Sequence, residues 1–158
     1  MYSIEINKFK HPEGKEYDAI LVAYHNGAGQ RYKKQLLIKR WGAKGTLGQF
    51  KAEVLPKGTT GARKAISALK KTREKRGYHF KGSSTAVGIA CSEVLVDLLG
   101  ESMTSLALRR KLGEIISNFE FGPELENVLM QAGSPEENLE DVDFGEPEPE
   151  RGEGWGSW

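Results

Sequence analysis

The stretch Tyr17–His25 reads Tyr-Asp-Ala-Ile-Leu-Val-Ala-Tyr-His, an apolar run suited to a central β-strand. On one side of it Tyr2–Phe9 alternates apolar and polar residues. On the other side Arg31–Trp41 and Gln49–Leu55 also have the composition of strands. Asn26–Gly29 supplies residues that tolerate positive φ, as a hairpin connection requires. The first third of the chain therefore predicts a three- or four-stranded antiparallel meander.

The apolar spacing changes to a helical period over Gly61–Arg76. A narrow apolar stripe on this segment is predicted to pack on the sheet, while basic residues occupy most of the remaining circumference. Thr59 or Thr60 is the predicted N-cap, and Gly77 is the predicted residue just past the C-terminus.

The residues after this helix predict a short extended segment at Tyr78–Phe80 and a break at Lys81–Ser84. Two apolar helices are then expected over Thr85–Leu99 and Ser102–Asn118, and a short final helix over Pro123–Gln131. The predicted fold class is α+β: a twisted antiparallel sheet with a packed basic helix and further C-terminal helices, followed by a disordered acidic tail.

Charge is sorted by position along the chain. Residues 1–82 carry nineteen Lys and Arg against six Asp and Glu, whereas residues 112–158 carry one base against thirteen acids. Residues 134–158 hold nine acids and three prolines with too few apolar residues to offset chain entropy. We therefore expect a globular basic domain over residues 1–132 and a disordered tail over 133–158. A basic domain of this kind predicts a polyanionic ligand, with the tail either competing for the same surface or recruiting another protein.

Other features of the sequence predict a cytoplasmic location. Met1–Glu5 lacks the charged-then-apolar form of a signal peptide. The longest apolar stretches fall well short of the roughly 20 residues needed to span a bilayer. Cys91 is the single cysteine and lies in an apolar run, which predicts a small core residue in a reducing compartment.

Catalytic patterns are missing from the sequence. The three histidines, His11, His25 and His79, are scattered without partners at metal-ligand spacing. No glycine-rich loop followed by Lys-Ser or Lys-Thr is present, and Ser83-Ser84 lacks the context of a nucleophile elbow. We therefore predict a protein that is not an enzyme and that uses no metal or cofactor.

Basic side chains mixed with aromatic ones are the positive signal. Lysine and arginine neutralise phosphates, and aromatic faces stack on unpaired bases, a contact worth about 1–3 kcal/mol per base. Both residue types occur in the predicted hairpin around Arg31–Lys44, and the helix that follows adds a basic face with only Glu74 as an acid. The pattern predicts largely sequence-independent binding of single-stranded DNA. The candidate DNA-binding residues are Arg31, Tyr32, Lys33, Lys34, Lys39, Arg40, Trp41, Lys44, Arg63, Lys64, Lys70, Lys71 and Arg73.

The tail combines its acids with aromatic residues. Phe144 follows an acidic run, and Trp155 and Trp158 lie in the last four residues of the sequence. These three aromatics are the candidate partner-binding residues of the tail.

Residues 17–80 resemble a WGR domain. The resemblance is carried by Lys39–Gly42, Gly45, Gly48–Phe50 and Lys75–Tyr78, with Ala43 standing where the family has arginine. It implies a twisted antiparallel sheet with a packed helix that contacts nucleic acid.

The acidic tail with its terminal tryptophan gives a second resemblance, to phage single-stranded-DNA-binding proteins, and in particular to those that act as cofactors of a phage RNA polymerase. This resemblance implies binding to melted DNA in the host cytoplasm, regulation of transcription by polymerase recruitment, and contact with phage RNA polymerase or replication proteins through the tail.

Three alternatives stay open at this point. The basic region could dock an acidic protein segment, which would make the chain a protein-interaction module. The same surface could bind RNA or duplex DNA without preference for single strands. The apolar residues of Ser102–Asn118 span more than one helical face, so they could also form a homo-oligomer interface.

Overall fold

The computed structural model describes residues 1–26 and 30–126 of the chain. Its elements are β1 (Tyr2–Lys10), β2 (Lys15–Tyr24), β3 (Gln35–Ala43), β4 (Gln49–Leu55), α1 (Gly58–Lys75), β5 (His79–Gly88), α2 (Cys91–Leu99) and α3 (Met103–Ser117). The strands form an antiparallel sheet in the order β4-β3-β2-β1-β5. The predicted α+β class is confirmed.

The apolar run at Tyr17–His25 does form the middle of the sheet. Successive side chains of β2 point to opposite faces and are buried on both, because helices lie above and below. Tyr17 and Leu21 pack in the core beneath α1, whereas Ile20 and Val22 pack in the core formed with α2 and α3. Two apolar cores thus share one central strand.

Helix α1 begins earlier than predicted. Its N-cap is Lys57 and makes no side-chain capping hydrogen bond, so the prediction of Thr59 or Thr60 as N-cap is wrong. The C-terminal prediction is confirmed, because Gly77 has φ of +93°. The N–H groups of Gly77 and Tyr78 donate to the carbonyl oxygens of Glu74 and Arg73, the pair of bonds that defines a Schellman motif.

Strand β5 overturns the prediction for residues 81–88, whereas the predicted helix is confirmed over Cys91–Leu99. The predicted break and the first residues of the predicted helix instead form a strand that pairs with β1, with Ser83 opposite Asn7 and Thr85 opposite Glu5. The helix starts only at Cys91. Small and β-branched residues on this segment fit the open edge of β1, and that tertiary pairing outweighed the local helical spacing.

The segment after α3 also differs from the prediction. Residues 123–126 are not helical, and Leu125 instead forms an antiparallel bridge with Tyr32. The remainder of the predicted final helix, the tip of the predicted 26–29 hairpin and the predicted disordered tail lie outside the described residues. In the part of the chain that the structure describes, no helix is both long and apolar enough to cross a membrane.

Candidate nucleic-acid interface

Arg40 holds the turn between β3 and β4. Its Nη1 donates to Asp18 Oδ2 on β2 at 2.6 Å, while Nε and Nη2 donate to the carbonyl oxygens of Leu47 (2.8 Å) and Thr46 (2.6 Å). The Arg40 residue is only 5 % exposed. The prediction that Arg40 contacts DNA is therefore corrected, because its guanidinium is buried and its hydrogen bonds hold the β3–β4 turn.

The partner of this arginine carries an electrostatic cost. Burial raises the pKa of the Asp18 carboxyl, and the Arg40 guanidinium lowers it by a smaller amount. A carboxylate removed from water is destabilised even beside a cation, so the pair is favourable mainly through its geometry and its further hydrogen bonds.

The glycines of the Trp-Gly turn are needed because the backbone folds tightly upon itself. Gly48 has φ of +81°, and a Cβ there would lie 2.4 Å from the Trp41 carbonyl oxygen. A Cβ on Gly42 would lie 2.8 Å from the Cα of Gly48. Both residues therefore have a structural reason to be glycine, and the turn that carries the WGR resemblance needs no ligand to explain it.

Three further residues that the sequence predicts to contact DNA are also buried, so these predictions are corrected for the same reason. Lys39 is 5 % exposed and its Nζ lies 2.7 Å from Glu53 Oε2 on β4. Trp41 is 8 % exposed and stacks near Tyr17, with ring centroids 6.4 Å apart. Its indole belongs to the core beneath α1, so it offers no stacking face to a base.

Arg73 is the third of these buried residues, at 3 % exposure. Its guanidinium carbon lies 4.4 Å from the ring centroid of Tyr17 and 5.5 Å from that of Tyr78. A cation held over two aromatic rings is stabilised by their electron-rich faces. Arg73 therefore joins α1 to the sheet and is not part of an outward binding face.

Arg31 takes part in a cap at the start of α1. Its Nη1 donates to Thr59 Oγ1 at 2.6 Å, and that hydroxyl donates to Glu126 Oε1 at 2.8 Å. The Thr59 N–H donates to Glu126 Oε2 at 3.2 Å. The first turn of α1 contains no acid of its own, so Glu126 supplies the negative charge that a helix N-terminus favours. Glu126, the last residue of the segment 30–126, therefore lies beside this end of α1.

Tyr32, Lys33 and Lys34 lie next to the same segment. Tyr32 is half-buried, its ring centroid 5.3 Å from that of Tyr24. Lys33 is half-buried, and its backbone N–H donates to the Glu124 carbonyl oxygen at 2.8 Å. Lys34 is half-buried as well, with its side chain beside Gly122. These lysines extend the cationic surface past the N-terminal end of α1, while Lys44 is exposed in the distant β3–β4 turn.

The outer face of α1 carries a row of three lysines that form no ion pair with a described residue. Lys64, Lys71 and Lys75 are separated by seven and four residues, a spacing that places them in one row along about 16 Å of helix. Lys71 and Lys75 are exposed and Lys64 is half-buried. Within the described residues, none of these three lysines forms an ion pair. An uncompensated row of like charges repels itself, so the row is suited to an external polyanion.

One side of α1 faces the exposed surface of β5. Lys70 Nζ lies 4.2 Å from the ring centroid of the half-buried Phe80, and Arg63 Nη1 lies 3.7 Å from Glu5 Oε1 on β1. Beyond Phe80, Ser83 and Thr85 are exposed. The sequence pattern does not identify this strip, because it predicts an extended segment only as far as Phe80, followed by a break and a helix over residues 81–88.

Lys75 and Phe80 are therefore the additions to the predicted contact set. The helical spacing from Lys64 and Lys71 could have identified Lys75. Phe80 could have been identified only if β5 had been recognised as a strand, since its exposure beside Lys70 depends on pairing with β1.

Comparisons with protein-family models, with curated proteins and with solved structures find no match for this chain. In residues 1–26 and 30–126, no group of three or more His, Cys, Asp or Glu side chains is arranged to hold a metal ion.

Proposed function

We propose that this protein binds single-stranded DNA, largely independently of sequence, along the outer face of α1. The observation that carries the proposal is the row of Lys64, Lys71 and Lys75, which has no carboxylate partner among the described residues. Phosphates would replace the missing anions, and the released counterions would provide much of the binding free energy.

The preference for single strands is supported by Phe80. Lys70 Nζ lies over its half-buried ring at the edge of the cationic face, so an unpaired base would stack on Phe80 by displacing this ammonium toward the neighbouring phosphate. A base within a duplex has no free face to offer. Trp41 cannot serve this purpose, which leaves Phe80 and Tyr32 as the candidate stacking residues.

The role of the acidic tail stays part of this proposal. Glu126, which lies at the N-terminal end of α1 near Lys33, directly precedes residues 127–158 in the sequence, and this segment includes Phe144, Trp155 and Trp158. We propose that these aromatics recruit a phage RNA polymerase or a replication protein to melted DNA. The polymerase assignment depends on the resemblance alone.

The test of DNA binding is a titration of the full chain with fluorescent single-stranded, duplex and RNA oligonucleotides of equal length at several salt concentrations. The expected result is tightest binding to single-stranded DNA. A plot of log affinity against log salt concentration should be linear, with a negative slope of about 0.7 for each phosphate contacted. Equal affinity for all three ligands would support a general polyanion-binding surface instead. Absence of binding at low salt would overturn the proposal and favour a protein-interaction module.

The role of the tail has a separate test, in which residues 134–158 are deleted. The shortened protein is expected to bind DNA as tightly as the full chain or more tightly, because nine acids that compete with phosphate have been removed. Weaker DNA binding by the shortened protein would contradict this role. Pull-down of a candidate polymerase by the full chain but not by the shortened protein would support recruitment.

A further inference from the structure

The two edges of the sheet differ in how they are protected. Edge strands present unpaired backbone groups that can pair with another chain, and charged side chains commonly block this. The centre of β4 carries Lys51 and Glu53, whose side chains are 51 % and 23 % exposed. In contrast, β5 contains the seven-residue stretch Gly82–Gly88, which has no charged residue. Only β5, of these two edges, presents a long neutral strand.

Exposed apolar side chains lie at one end of the same edge. Val87 is 52 % exposed, and Ile89, just beyond the strand, is 78 % exposed. Met1 is also exposed and lies close to them, because Tyr2 pairs with Gly88. Apolar side chains grouped at an open strand edge are typical of a contact surface.

We propose that β5 pairs antiparallel with β5 of a second copy of this chain. A second copy fits better than an unrelated peptide because this strand is compatible with itself. Pairing that overlaps Gly82–Gly88 fully with its counterpart places Thr85 opposite Thr85 of the partner subunit and Ser83 opposite Val87 of the partner subunit. No like charges meet along the stretch, and a single two-fold contact satisfies both open edges.

The symmetry of this pairing has a consequence for the nucleic-acid interface. Two antiparallel edge strands are related by a two-fold axis perpendicular to the sheet, so both copies of α1 lie on the same side of the continuous sheet. Lys70 and Arg63 lie on the side of α1 that faces β5 and β1. The dimer therefore forms a trough with a neutral floor at Ser83 and Thr85 and a cationic wall from each subunit.

This ligand assignment rests on the proposed function, whereas the strand pairing itself does not. In the trough, Lys70 and Arg63 of each subunit add one cationic wall beside the outer row of Lys64, Lys71 and Lys75, so the partner extends the site across β5. We expect a DNA strand longer than one α1 to bind two copies.

The test compares two variants of the full chain, Thr85→Lys on β5 and Ala52→Lys on β4. Both add one lysine at an exposed position of an edge strand, but only Thr85→Lys would place two like charges directly opposite each other in the dimer. In sedimentation experiments without DNA, we expect the unmodified protein and Ala52→Lys to dimerise alike. We expect Thr85→Lys to raise the dimer dissociation constant by about tenfold or more.

A second variant keeps the proposal falsifiable if Thr85→Lys impairs folding. Mild oxidation should cross-link Thr85→Cys into a covalent dimer, whereas Ala52→Cys and the unmodified protein with its Cys91 should stay uncross-linked. Two results would overturn the pairing. In one, the unmodified protein stays monomeric at every protein concentration tested by sedimentation. In the other, Thr85→Lys and Ala52→Lys dimerise equally. Because these measurements contain no DNA, such a failure would leave single-strand binding by α1 intact. Dimerisation without any DNA binding would support the β5 pairing and would contradict the proposal that the dimer binds DNA.

Discussion

Two groups of basic side chains in this molecule carry the same positive charge but differ in burial and in their partners. Lys39, Arg40 and Arg73 are buried against carboxylates or aromatic rings that lie on other elements of the fold. Lys64, Lys71 and Lys75 point outward along α1, and none of them forms an ion pair with a described residue. The excess positive charge therefore lies in two different environments. The buried group is held by partners within the fold, and of these two groups the outward one is accessible to a ligand.

The largest expected effect comes from removing a buried cation. Replacing Arg40 with Met leaves the Asp18 carboxylate buried without its partner and releases two carbonyl groups of the β3–β4 turn, which should lower the free energy of unfolding by about 3–5 kcal/mol. Urea denaturation would measure this loss. Lys44→Met in the same turn is the matched control and should change stability by about 0.5 kcal/mol or less, since Lys44 is exposed. If the two substitutions lowered the free energy of unfolding equally, Arg40 would not have the structural role assigned to the buried group.

Removing the outward cations should weaken DNA binding and leave folding stability nearly unchanged. Changing Lys64, Lys71 and Lys75 together to Gln is expected to keep or slightly raise stability, because repulsion along α1 is relieved. Affinity for single-stranded DNA should fall by about 100-fold at a salt concentration near 0.1 M, if each lysine neutralises one phosphate. Denaturation and oligonucleotide titration on the same sample would measure both quantities. A loss of stability comparable with that of Arg40→Met would show that this row is structural.

A smaller effect is expected at the cap of α1. Glu126→Gln removes the charge that accepts hydrogen bonds from Thr59 and should lower the free energy of unfolding by about 1 kcal/mol. Glu124→Gln, two residues earlier and exposed, is the matched control for the change in charge. Denaturation curves that coincide for the two variants would contradict a capping role for Glu126.

The smallest effect concerns the pH dependence of the buried pair. Because burial raises the pKa of Asp18 above 3.8, the folded state takes up a proton at a higher pH than the unfolded state does. The contribution of Asp18 to stability is therefore fully present below 3.8 and declines as the pH rises through the folded pKa. Stability measured against pH for the unmodified protein and for Asp18→Asn should show their difference declining over that window. A difference that grows with pH would mean that Arg40, and not burial, dominates the pKa of Asp18.

Local patterns in the sequence account for much of the fold. The apolar run of β2 and the apolar stripe of α1 depend on neighbours within a few residues, so both elements could be predicted. Strand β5 could not, because its partner strand β1 lies some 80 residues earlier in the chain and its own composition is neutral and small. The α1 N-cap was missed for a similar reason, since its capping carboxylate is Glu126, 67 residues from Thr59.

The candidate site was only partly predictable. A count of basic residues identifies a cationic domain but cannot separate Lys39 from Lys71. That distinction depends on Glu53, which pairs with Lys39 across two strands, whereas Lys71 forms no ion pair with a described residue. Burial of Trp41 likewise follows from α1 packing across the sheet, a tertiary contact that the sequence pattern does not contain.

The most direct measurement of the central claim is the salt dependence of single-stranded-DNA binding by the unmodified full chain and by the Lys64, Lys71 and Lys75 to Gln variant. If these lysines neutralise phosphates, the slope of log affinity against log salt should become shallower by about 2 in the variant. An unchanged slope in a folded variant would contradict the account, because it would show that the row on α1 does not touch the sugar–phosphate chain.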